Sequence, residues 1–457
     1  MNKKPTIDIF SGTHLRRQFL WFLLPLIGTN ILQSLSMTIN TIYVGQLLGV
    51  EAVAAVAVFM PVMFCLIAFI IGVSAGATVV VGQAFGAKNR ETLYQAIGSM
   101  LYLALLMGFT LGLLGVFFTP QILDLLGASA TISNYAKPYF YTMMAGCPIT
   151  FVFISVTSAM RGIGDSVTPL LALLMTILLG LIITPALILG WAGLPQLGTI
   201  SPAIATLTSQ LVSIIFIIFY LKHKSAFLQF GKDLRQHIRY NAKMLKLILQ
   251  LGIPNGVQMI TTALAGLIII RLINNFGSQA TAAYGAITQI INYIQFPALS
   301  IGIAASIFAA QAIGAERSDR LRAITRTAMM YNLLFTGSLI VLGYLFSRYV
   351  IALFITDEAV IELGQSLLHI SLWAMIFFGA TAILTSIMRA SGTVWLPMLI
   401  ILSMLILVEL PLAYWLSDLI GLSGIWYSYA ATFIITFLVI LAFYWLVWRK
   451  QKIDRLV

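Results

Sequence analysis

Unbroken apolar runs, each about as long as a bilayer crossing, recur along all 457 residues. They fall near 18–45, 53–80, 94–118, 134–158, 168–192, 198–221, 246–272, 280–308, 325–347, 364–387, 395–417 and 422–448. A spanning helix needs ~20 such residues, whereas membrane β-strands are short and alternate in polarity. Only 9% of the residues are charged and the mean hydropathy is +1.00. A soluble domain carries about 25% charged residues, so a water-soluble enzyme is excluded. The expected fold class is an all-α polytopic membrane protein with twelve transmembrane helices.

One long polar connector, Lys222 to Lys246, separates six segments from six. The expected organisation is a cytoplasmic N-terminus (1–17), an N-lobe of six helices (18–221) and a cytoplasmic connector (222–245). A C-lobe of six helices (246–448) and a cytoplasmic C-terminus (449–457) complete it. The net charge of +12 is a topology signal, because 23 of the 26 Lys and Arg lie at the termini, in the connector or in alternate loops. Basic residues concentrate on the cytoplasmic side of a membrane, which places both ends and the connector there. Nucleic-acid binding would need one basic face with interleaved aromatics, and these charges are scattered instead. No short apolar segment with a small-residue cleavage site marks a removable leader. Cys65 and Cys147 lie inside apolar runs and read as buried structural thiols.

An internal repeat narrows the architecture further. Gln83-Ala84-Phe85-Gly86-Ala87 recurs as Gln311-Ala312-Ile313-Gly314-Ala315, and Ser158-Ala159-Met160-Arg161 as Ser386-Ile387-Met388-Arg389. Pro169 recurs as Pro397, and Gly49 as Gly277, always at an offset of 228. Six spans separate the copies, an even number, so the two lobes share one orientation. Secondary transporters use such parallel repeats, related by an axis along the membrane normal, for alternating access.

On these residues the sequence resembles the MATE (multidrug and toxic compound extrusion) transporters over essentially its whole length. The resemblance rests on Gly82-Gln83-Ala84-Phe85-Gly86-Ala87 after the second span and Met160-Arg161-Gly162-Ile163-Gly164-Asp165 after the fourth. It also rests on Asn40-Thr41-Ile42-Tyr43-Val44-Gly45-Gln46 in the first. It implies two pseudo-symmetric six-helix lobes in the cytoplasmic (inner) membrane. It further implies efflux of small amphipathic, often cationic, organic compounds in exchange for H+ or Na+, with no cofactor. Many bacterial members carry an aspartate where this chain has Asn40, and an Asn-x-x-x-Asp-Pro pattern where it reads Gly180 to Thr184-Pro185. Other branches use a glutamate in the seventh span or an aspartate in the tenth, and neither span holds an acid here.

Of the 14 acids, Glu409 alone falls inside an apolar span. A charge at that depth costs about 2.5–3.5 kcal/mol or more and marks a functional site by default. Pro411 removes an N–H and frees a backbone carbonyl one turn earlier. Arg271, in the seventh apolar run, is the obvious ion-pair partner, or it snorkels to the surface from the outer end of its helix. Should Glu409 not couple transport to an ion, Asn40 and Thr184 are the neutral ligands left, and these suit Na+ because they do not titrate near pH 7.

Three polar stripes at helical spacing are candidate substrate contacts: Gln33, Ser36 and Asn40; Gln258 with Thr262; and Gln289, Asn292 and Tyr293. With Trp373 and Tyr414 they suit an amphipathic cavity for bulky apolar cations. The alternative use of such stripes is helix-to-helix hydrogen bonding. Arg161 and Arg389 each close a span, where a cation opposes the helix's negative end, and read as structural. The four histidines lack metal-ligand spacing, so neither a hydrolase nor a metal site is indicated. The competing function is a flippase for a lipid-linked precursor, which would need a more cationic interior than Arg271 provides. The two-lobed repeat makes a monomer sufficient.

Overall fold

A computed structural model describes residues 14–127, 129–223 and 232–457, and every element in them is helical. Residues 1–13 of the expected N-terminal segment and 224–231 of the connector lie outside the described residues. The first half runs α1 (Leu15–Leu48), α2 (Val50–Gly86), α3 (Arg90–Leu125), α4 (Ala130–Ala145), α5 (Cys147–Gly162), α6 (Val167–Leu189) and α7 (Ser201–His223). A short connector helix, α8 (Lys232–His237), precedes α9 (Ala242–Asn274) and α10 (Ser278–Gly314). The second half continues with α11 (Leu321–Tyr331), α12 (Gly337–Ala352), α13 (Glu358–Leu372), α14 (Met375–Ala390), α15 (Trp395–Met404), α16 (Leu410–Ile420) and α17 (Ser423–Leu446).

Among the described residues ten helical runs are long and apolar enough to cross a membrane, and two bent pairs bring the number to twelve. The pairs are α4 with α5, bent by 49°, and α13 with α14, bent by 43°. Cys147-Pro148 opens α5, and a proline's missing N–H breaks the helical ladder there. No proline sits at the second bend, where tightened bonds such as Phe377 N–H to Ala374 carbonyl (3.0 Å) take its place. The bends are therefore a property of the repeated scaffold and not of one residue.

The repeat extends to backbone angles. Gly49 and Gly277 have φ of 89° and 95°, and Gly164 and Gly392 have 87° and 90°. Among non-glycine residues, Lys88 (55°) and Glu316 (59°) alone enter the left-handed region within the described chain. Each pair is 228 residues apart, so both Gly-rich loops close by the same left-handed step after a long helix. Gln83 and Gln311 are both fully buried at these junctions.

Two compact units emerge, residues 28–253 and residues 1–27 with 254–457. The divisions fall inside the first and seventh expected spans, close to Pro25 and Pro254, so α1 and α9 each contribute to both units. In the first unit Phe59 meets Phe140 edge-on at 4.6 Å, beside Met144 and Cys147. Cys65, expected to be buried, is instead exposed on α2. The connector is fastened by His237, which stacks over Tyr94 and bonds Glu91 at 3.0 Å. In the second unit the start of α1 is held by Phe19 against Phe308 (5.1 Å) and by Tyr331, whose hydroxyl donates to the Arg16 carbonyl at 2.9 Å. Trp426, Ile287, Ile351 and Leu372 form its core.

Lipid is as apolar as leucine, so membrane helices associate through close packing at small residues. Gly76 of α2 and Gly252 of α9 show this: a Cβ at Gly76 would stand 2.6 Å from the Gly252 nitrogen, and one at Gly252 would stand 2.6 Å from the Val73 Cα. Gly252→Ala should therefore cost about 1–3 kcal/mol of overpacking. The expected outcome is a lower monodisperse yield in size-exclusion chromatography and earlier melting. Arg161 occupies the last turn of α5 and Arg389 the last turn of α14, as a helix-terminal cation requires. Arg161→Ala should lower folded yield and leave substrate preference unchanged, and altered preference at normal expression would contradict a structural role.

Candidate functional site

Glu409 is 7% exposed and closes a π-helical turn, Leu405–Glu409, between α15 and α16. The widened turn arises because the Leu410 N–H reaches back to the Leu405 carbonyl, while Pro411 has no N–H to continue the ladder. One carbonyl in the preceding turn thereby loses its donor and stays available as an oxygen ligand. Such π turns occur preferentially at functional sites.

One aromatic side chain is in reach of Glu409. Tyr429 of α17 lies within electrostatic reach of the Glu409 carboxylate and shares a hydrogen bond with Tyr284 of α10. Tyr284 in turn packs edge-on against Trp426, with ring centroids 6.2 Å apart. Among the described residues no ion pair involves Glu409. Arg271 does not provide one: it is exposed in the last turn of α9, where it offsets the helix's negative end. The site is thus a buried carboxylate in reach of the Tyr429 phenol, beside a turn that Pro411 leaves one backbone donor short. Chemically it suits a proton or a monovalent cation, since a charged carboxylate at this depth must be neutralised or matched.

The other candidates divide between the two units. Gln33, Ser36, Asn40 and Thr184 belong to residues 28–253, and Gln258, Thr262, Gln289, Asn292, Tyr293, Trp373 and Tyr414 to the unit that holds Glu409. Thr184 is 1% exposed, and its hydroxyl has no hydrogen-bond partner within the protein among the described residues. Neighbouring span threonines, such as Thr176 on the Ala172 carbonyl (2.9 Å), turn back onto their own helix, so Thr184 is an exception. Thr262 follows the usual habit, donating to the Gln258 carbonyl at 2.9 Å.

Gln289, Asn292 and Tyr293 are exposed along α10, as are Trp373 and Tyr414 on their own segments. Exposed amides within a span are costly against hydrocarbon, so this face of α10 suits a water-lined space better than lipid.

Tyr284 and Tyr429 were not singled out by the sequence. Tyr284 lies near the α10 stripe, one turn before Thr288, and its spacing was a usable signal. Tyr429 sits in an apolar span with no pattern around it and becomes visible only through tertiary packing.

Comparison with known proteins agrees with this architecture. The MatE family model matches twice, over residues 25–186 and 254–415, one match for each half of the repeat. The chain is 40% identical over 442 residues to the probable multidrug resistance protein YoeA of Bacillus subtilis, covering 95% of each chain. It is 25% identical to the probable multidrug resistance protein NorM of Thermotoga maritima, covering 92% of this chain and 90% of that one. Its fold superposes on a mutant of the Vibrio cholerae MATE transporter VcmN with a TM-score of 0.87 at 20% identity, covering 96% and 98% of the two chains. These likenesses favour drug efflux over precursor flipping. With its twice-matched family model, its twelve-span helical architecture and a relative at 40% identity, the chain belongs to the MatE family of multi-pass membrane transporters, the multidrug efflux proteins, and is not an enzyme.

Proposed function

We propose that this protein is an antiporter that exports small amphipathic, often cationic, organic compounds by alternating access, exchanging them for H+ or Na+ at Glu409. The observation that carries this reading is the buried Glu409 carboxylate on its π turn, which makes no ion pair among the described residues. An antiporter needs a site whose affinity for ion and substrate differs between its two states, because a site with equal affinity in both couples nothing. A carboxylate in a low-dielectric site meets that need: occupied by a proton or cation it is neutral, and vacated it calls for a replacement positive charge. A cationic substrate supplies one.

Substrate contacts are assigned to Gln258, Gln289, Asn292, Tyr293, Trp373 and Tyr414 in the unit of Glu409, and to Gln33 and Ser36 in the other. Amides orient the polar end of a ligand and aromatic rings accept its cationic or flat apolar part. Asn40 and the Thr184 hydroxyl, unpartnered among the described residues, are the neutral ligands of a second ion position. The distribution of Lys and Arg supports insertion in the cytoplasmic membrane with both termini inside. A single chain carries both halves of the repeat, which supports function as a monomer.

Efflux of a cationic dye from proteoliposomes, under a pH gradient or a Na+ gradient imposed separately, tests the reading. Glu409→Gln should reduce gradient-driven efflux to the level of empty vesicles while the protein still folds and still binds the dye, more weakly, through its amide and aromatic contacts; full efflux by this variant would move coupling to Asn40 and Thr184. Arg271→Ala should leave efflux within about twofold of the parent, as expected for an exposed helix-end charge worth ~0.3–1 kcal/mol. Loss of coupling in that variant would show that Arg271 pairs with Glu409 during the cycle.

A further inference from the structure

Away from Glu409, a cavity of about 230 Å³ opens between the start of α11 and the end of α17. Sites for drug-sized ligands measure ~300–1,000 Å³, so this one is too small for the exported compounds. Its lining has two parts. Arg322, Arg326 and Arg449 bring three cations, and Met329, Leu384 and Leu441 bring an apolar wall.

Among the described residues no acid lines the cavity. The nearby carboxylates are already engaged elsewhere: Asp319 with Arg317 (3.1 Å) and Arg320 (3.6 Å), and Glu316 with Arg455 (2.9 Å). Arg322 and Arg326 stand one helical turn apart and repel each other, which a shared anion would relieve. The Arg449 guanidinium carbon stands over the Trp445 ring, 4.2 Å from its centroid, a cation–π contact that holds it at the cavity. Two hydroxyls, Thr325 and Tyr444, lie 3.3 Å apart in the lining and supply neutral hydrogen-bonding capacity. Tyr444 and Trp448 stack at 4.9 Å, and Trp448 donates to the Ser391 hydroxyl at 2.8 Å, so this wall is rigid.

The height of the cavity selects the ligand. It lies where one span begins and another ends, lined by Tyr444 and Trp445 with Trp448 stacked behind Tyr444, as expected of residues at a membrane interface. A cationic rim above an apolar wall at that level matches a phosphate ester with hydrocarbon attached. Basic pockets between spans bind anionic headgroups in this way. We propose that Arg322, Arg326 and Arg449 form a binding site for one anionic phospholipid, the phosphate on the arginines and the first part of the chain along Leu384, Leu441 and Trp445.

The test uses the full-length protein in detergent, titrated with phosphatidylglycerol, phosphatidylcholine or glycerol 3-phosphate, with retained adducts measured by native mass spectrometry. Phosphatidylglycerol should bind saturably and phosphatidylcholine should not. R322Q combined with R326Q should weaken phosphatidylglycerol binding about thirtyfold, the product of two interfacial arginines. Lys243→Gln combined with Lys246→Gln, an equal charge change on the other unit, should change it less than about twofold. Arg449→Gln, read separately, should weaken it and keeps the test decisive if the double variant fails to fold. Wild-type affinity in the double variant, or in Arg449→Gln where the double variant does not fold, would overturn the site. Equal binding of phosphatidylcholine would also overturn it, and equal binding of glycerol 3-phosphate would make it a soluble-phosphate site and not a lipid one.

Discussion

Hydrocarbon offers no hydrogen bonds, and this one constraint organises the molecule. Every backbone group in a span must be satisfied by its own helix or by a neighbour, so the described residues build helices and little else. Side-chain hydroxyls obey the same rule by turning back onto carbonyls one turn earlier, as Thr78, Thr119 and Thr385 do. Against that background the departures stand out. Glu409 is buried without an ion pair, and Thr184 is buried without a hydrogen bond, among the described residues. Both sit beside a proline within a span, Pro411 and Pro185, each of which removes one backbone donor from the helix.

Duplication supplies the scaffold, and small local differences supply the chemistry. Loop glycines, left-handed steps and span bends recur 228 residues apart, so two copies share one backbone plan. The π turns do not recur. Residues 405–409 are widened while their counterparts 177–181 are regular α-helix, and Glu409 itself corresponds to Leu181. The second π turn, Asn332–Thr336, likewise faces a regular counterpart in α3. There Asn332 donates to the Ile376 carbonyl at 3.0 Å, tying that turn to the bend between α13 and α14. A pseudo-symmetric pair of bundles thus carries an asymmetric polar interior. The unit containing Glu409 is the one in which the helical ladder has been locally loosened.

Much of this was legible in the sequence because the signals are long. Apolar runs of about twenty residues survive any local irregularity, and a shared offset over separated motifs identifies a repeat without knowledge of packing. Glu409 was legible for a related reason, since a lone carboxylate in an apolar span is rare enough to stand out. Other features depend on contacts that sequence does not encode locally. The bend at Trp373–Ala374 has no proline, and the π turn at Leu405 depends on how Leu410 and Pro411 are accommodated. The division of α1 and α9 between units follows tertiary contacts within continuous apolar helices. Arg271 illustrates the limit of composition arguments. It lies in an apolar span, yet it sits at an exposed helix end and makes no ion pair with Glu409 among the described residues.

The central claim is that ion and substrate compete for one negative charge. Counting ions released when a cationic dye binds the purified protein measures this directly, by calorimetry in buffers of different ionisation enthalpy and with a Na+ electrode. The account predicts release of about one H+ or Na+ per dye bound by the parent protein and none by Glu409→Gln, because two states with different affinity must exchange occupants. Equal release by parent and variant, or dye binding with no ion released by either, would contradict it.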